Sequence, residues 1–61
     1  METLEEKKSF LDDTIKKAML YGDLPIADAI HIMTALGRVN SEEELKSVIK
    51  RLEEVLEKDN L

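Results

Sequence analysis

The stretch Pro25-Ile26-Ala27-Asp28-Ala29-Ile30-His31-Ile32-Met33-Thr34-Ala35-Leu36 decides the fold, because only Asp28, His31 and Thr34 interrupt its apolar residues. It reads as a helix that is apolar nearly all the way round. A helix without a continuous wet face has to be covered from more than one side. The two flanking segments, and a second polypeptide, are therefore expected to cover it. Projected at about 100° per residue, Ile26, Ala29, Met33 and Leu36 share one face, Ile30 and Ala27 run round one flank, and Ile32 and Ala35 run round the other.

Immediately upstream, Tyr21-Gly22-Asp23-Leu24 leads into Pro25 as a helix-to-helix connector. Gly22 suits the left-handed position after a helix end, and the fixed φ of Pro25 suits a first helical turn. The proline pushes Leu24 towards extended geometry, and Asp23 stands where a carboxylate favours the positive end of the next helix. Helices joined this closely lie antiparallel as a hairpin. Further upstream, Thr3 and Glu6 have the spacing of a capping box. From there Leu4, Leu11, Ile15 and Ala18 line one helical face, with Phe10, Met19 and Tyr21 on its shoulders and Leu20 on the opposite side.

Downstream, Gly37 reads as a second glycine just past a helix end, and Arg38-Val39-Asn40 as a link to Ser41. Ser41 and Glu44 form another capping box, supported by Glu42 and Glu43 beside the helix dipole. The following helix carries Leu45, Val48, Ile49, Leu52, Val55 and Leu56 as one stripe, and Glu42 with Lys46 and Glu54 with Lys58 stand at pairing distance on its wet face. The tail Asp59-Asn60-Leu61 is expected to fray. The reading is an all-α, single domain over 1–61, with helices at about 4–21, 25–36 and 42–58 and a short, highly apolar central helix, assembling into a dimeric helical bundle.

A chain of 61 residues has a thin core, of the kind that disulfides, a metal or oligomerisation usually reinforce. There is no cysteine, which removes disulfides and thiolate metal sites and leaves oligomerisation. The chain is 43% hydrophobic and 38% charged, enough apolar content to fold rather than remain disordered. Its net charge of −5 repels phosphate backbones and anionic lipid, so nucleic acid and membrane are disfavoured as partners. METLEEKKSF has no apolar targeting region, and no apolar run approaches the length of a membrane span, so the expected location is the cytoplasm.

Gly22-Asp23-Leu24-Pro25 resembles the hairpin turn in small subunits of exonuclease VII, and Tyr21-Gly22-Asp23 followed by Ala27 resembles the middle of a tetratricopeptide repeat. Each resemblance covers a few residues, and the rest of each family's pattern is absent. A glycine and an acidic residue between helices is also what capping selects, and a single repeat cannot bury its own faces. Neither resemblance implies a function here.

Chemistry-bearing residues are few. Asp28 and His31 lie three apart on one helix face, as a metal site in a bundle would need, but the acidic residues of the first and third helices lie mostly opposite their apolar stripes. The expectation is no metal and no cofactor, with Asp28 and His31 as a polar strip. One histidine, no cysteine, and serines only at Ser9, Ser41 and Ser47 give nucleophilic catalysis little to work with, and both glycines fall at helix ends rather than in a phosphate loop. No enzyme activity is expected. A helix-turn-helix nucleic-acid regulator is the alternative in another class, yet the helix that would enter the groove opens with Glu42-Glu43-Glu44. Lys16-Lys17 and Lys46, Lys50 and Arg51 read as ordinary solvated charges. Met19 and Met33 suit core filling more than a binding groove.

The function expected is that of an adaptor or regulatory subunit, a helical interaction and oligomerisation module forming a homodimer or binding another protein. An accessory subunit of a larger enzyme complex differs only in the partner. Leu20, Ile26, Ala27, Ile30, Met33 and Ala35 are the candidate interaction surface.

Overall fold

The structure is a computed structural model that describes residues 2–59, of Asp59 the backbone alone. Of the tail expected to fray, Asp59 is instead the last residue of the third helix, and Asn60-Leu61 lie outside the described residues. Three helices follow in order, α1 over Leu4–Leu20, α2 over Ile26–Gly37 and α3 over Glu42–Asp59, and no strand occurs among the described residues. The domain is all-α, as the capping and periodicity signals require.

Both long helices start where their capping boxes stand. Thr3 Oγ1 accepts the Glu6 backbone N–H at 3.1 Å and its hydroxyl donates to the Glu6 carboxylate at 3.2 Å. Ser41 repeats the arrangement with Glu44, at 3.2 Å for the backbone bond and 3.3 Å for the hydroxyl. The Glu44 carboxylate also accepts the Asn40 backbone N–H at 3.4 Å. These bonds satisfy donors that a helix start leaves without an internal partner.

The two ends bounded by glycine close differently. Gly22 has φ +80°, Asp23 N–H donates to the Ala18 carbonyl at 2.9 Å, and Gly22 N–H donates to the Met19 carbonyl at 3.2 Å. That is the double closure of a Schellman turn, and only glycine takes the left-handed position without strain. Tyr21 is the cap residue, so α1 stops one residue short of the expected end. Gly37, expected in the left-handed position, is instead the last residue of α2. The chain leaves through bonds from Arg38 to the Ala35 carbonyl and from Val39 to the Leu36 carbonyl, both 3.1 Å. Such i to i+3 bonds tighten the last turn while keeping right-handed geometry. Pro25, at φ −58° and ψ 142°, precedes α2 rather than opening it, and its carbonyl accepts the Ala29 N–H.

Helix α2 packs against both α1 and α3. The core comprises Ile15 from α1, Ala29, Ile32 and Leu36 from α2, and Leu45, Val48 and Leu52 from α3, together with Leu24 and Val39 from the two connectors. Around it lie the half-buried Leu4, Leu11, Ala18, Met19, Met33, Ile49, Val55 and Leu56. From sequence, Leu24 and Val39 read only as linker residues. In the fold both are core residues, at 2% and 3% exposure.

Polar contacts fasten the start of α1 to the α2–α3 connector and the start of α3. Lys7 Nζ pairs with Glu42 at 2.8 Å, and Lys8 Nζ donates to the Val39 carbonyl at 2.9 Å. Glu42 thus meets α1 rather than the expected Lys46, and Glu54 with Lys58 is not an ion pair in the structure. On α1, Lys16 pairs with Asp12 at 2.8 Å. Hydrogen bonding to the carboxylate, and then its charge, raise both the Lys7 and Lys16 values above 10.5. These pairs therefore act fully below the ordinary lysine value and fade only as pH rises past the raised one.

Candidate interaction surface

The buried side of α2 is defined by Ala29, Ile32 and Leu36, with Asp28 and Met33 half-buried at its two edges. Relative to the projected face, the helix is turned towards Ile32 and away from Ile26. The opposite half presents Ile26, Ala27, Ile30, His31, Thr34 and Ala35 to solvent. Ile26 is 65% and Ile30 54% exposed. The neighbouring helices therefore cover one side of α2 and leave an apolar side open.

That outward half carries no charged group between Ile26 and Gly37, since the sole charged residue of the helix, Asp28, lies at the buried edge. Its polarity is reduced further by Thr34, whose hydroxyl donates to the Ile30 carbonyl at 2.8 Å within the helix. A hydroxyl bonded back to the preceding turn leaves its methyl group as the larger part of what remains. His31 is exposed and makes no hydrogen bond to Asp28, and no group of three or more metal-ligating side chains occurs among the described residues. Charges bound the surface at its ends: Asp23 precedes α2 and Arg38 follows it, both exposed. Among the described residues neither belongs to an ion pair.

Of the residues singled out from sequence, Ile26, Ala27, Ile30 and Ala35 come together on this half. Met33 lies at its border, half-buried and turned towards α1. Leu20 belongs to a different element, the last residue of α1, and is 80% exposed. Phe10 and Tyr21, expected on the shoulders of the α1 core face, stand in solvent at 72% and 79%. For Tyr21 the reason is local, since it is the cap residue from which the Schellman turn departs. Sequence reasoning missed Thr34 and His31 as parts of the open half; the available signal was a mid-helix threonine able to bond its own backbone.

Beside this surface, Glu5, Lys8, Ser9 and Asp12 of α1 and Met33, Leu36 and Gly37 of α2 line a groove of about 260 Å³. Ligand pockets run to roughly 300–1,000 Å³ and enclose most of the molecule they hold. This groove is smaller and has a charged wall on one side, which suits an edge between packed helices better than a substrate site.

Comparison with protein-family models, with curated proteins and with solved structures finds no match. No helix among the described residues is long and apolar enough to cross a membrane.

Proposed function

We propose that the protein is a helical protein–protein interaction module, acting as an adaptor or regulatory subunit, with the outward half of α2 as its contact surface. The observation that supports this reading is the placing of two half-to-two-thirds exposed isoleucines on an uncharged helix half. Single exposed leucines are common on monomers, but a grouped apolar face marks a contact surface. Covering a large aliphatic side chain contributes roughly 1.5–3 kcal/mol, which is substantial for a domain of this size. The partner's surface is accordingly a neutral, apolar helix or groove.

Photocrosslinking tests the assignment. A photoreactive residue in place of Ala27 is expected to give a discrete adduct in extract of the cells that make the protein, whereas the same residue in place of Glu53, on the charged side of α3, gives none. Mass spectrometry of the adduct identifies the polypeptide attached. Absence of an adduct at Ala27, or equal labelling at both positions, overturns the proposal.

A further inference from the structure

Resting on that reading, we infer that the occupant of the α2 surface is a second copy of this chain, docked antiparallel about a two-fold axis that passes between Ile30 and His31. The argument begins with charge. A molecule of net charge −5 meets its own copy without like-charge contact only through a neutral face, and the outward half of α2 is such a face. Its two ends are opposite in sign, Asp23 before the helix and Arg38 after it, and both are exposed with no ion-pair partner among the described residues. Parallel docking sets Asp23 against Asp23 and Arg38 against Arg38. Antiparallel docking sets each Asp23 against the second copy's Arg38, and the two equivalent pairs flank the apolar contact.

The same register pairs side chains by size. An axis between Ile30 and His31 brings each of these residues beside its own counterpart, Ile26 opposite Thr34, and Ala27 opposite Ala35. Bulky residues thus meet smaller ones except at the axis, where Ile30 meets Ile30 and His31 meets His31. Such self-complementarity is what an isologous interface requires. Antiparallel alignment also opposes the two helix dipoles. With 12 residues, α2 offers a contact about 18 Å long and about 10 Å wide. That is small among specific interfaces, so the dimer is a weak one, dissociating in the micromolar range or above.

Sedimentation equilibrium on the full chain, from low micromolar to near-millimolar concentration at low salt, tests the register through charge. Asp23→Arg and Arg38→Asp are each expected to weaken self-association roughly ten-fold, because each turns two attractive pairs into two repulsive ones. A mixture of the two single variants restores complementarity on both sides, so it is expected to associate as heterodimers at least as well as the native chain, and the double variant to associate comparably as homodimers. Circular dichroism melts of each variant check that the monomer stays folded. A native chain that stays monomeric throughout overturns the second copy as occupant. The interaction reading then stands or falls separately on whether the Ala27 crosslink captures a different polypeptide. A dimer that Ile30→Asp dissociates but that ignores the charge changes overturns the antiparallel register.

Discussion

Helices α2 and α3 share a packing interface, yet their outward sides are opposites. On α3 the stripe Leu45, Val48, Ile49, Leu52, Val55 and Leu56 is buried or half-buried, while Lys46, Lys50, Glu53, Glu54 and Glu57 face solvent. On α2 the solvent side presents Ile26, Ala27, Ile30, Thr34 and Ala35. The amphipathic α3 is complete as one side of a three-helix domain. The open side of α2 leaves apolar surface in water, and this difference is what the contact surface proposed for the shorter helix rests on.

The largest test of the comparison stays within α2. Ile32, 1% exposed, and Ile30 lie two residues apart on opposite sides. Ile32→Ala is expected to cost about 2–5 kcal/mol, enough to unfold much of the population, whereas Ile30→Ala should change monomer stability by less than about 0.5 kcal/mol. Urea melts at dilute concentration measure both, and similar losses would mean that the two sides are not distinct.

Helix ends give a smaller effect. The start of α3 is capped by Ser41, while Pro25 before α2 makes no side-chain cap. Ser41→Ala should lower stability by about 1 kcal/mol, read as a shift of the denaturant midpoint. Opposite in sign, Gly37→Ala should raise stability by about 0.5–1 kcal/mol, since Gly37 is right-handed within α2 and a Cβ there meets nothing within 4 Å. A loss on that substitution would place Gly37 in a close contact that only the assembled form contains.

The smallest expected signal is in nucleic-acid binding. Titration with duplex DNA should reveal no complex at physiological salt, because α3 opens with the exposed Glu42, Glu43 and Glu44. Sub-micromolar binding that survives such salt would shift the functional surface from α2 to α3.

Most of the helical framework was legible in the chain. Thr3 with Glu6 and Ser41 with Glu44 announced two helix starts, Gly22 announced a left-handed exit, and the α3 stripe identified its buried side, because these signals depend on residues a few positions apart. Gly37 was misread for the converse reason: a glycine permits the left-handed turn without requiring it, and the i to i+3 closure after Leu36 removed the need. The candidate surface was only partly legible. Its composition was evident, but Thr34 and His31 were not assigned to it and Met33 proved half-buried at its edge.

The sequence by itself determined that α2 is a helix too apolar to stand alone in water and where its neighbours begin and end. Only the tertiary structure decided which half of α2 turns inward. A helix with apolar residues around most of its circumference has weak phase information, so its rotation is fixed by its neighbours. Leu24 and Val39, buried in the two connectors, join Ile32 in the core, while Ile30 stays outside it.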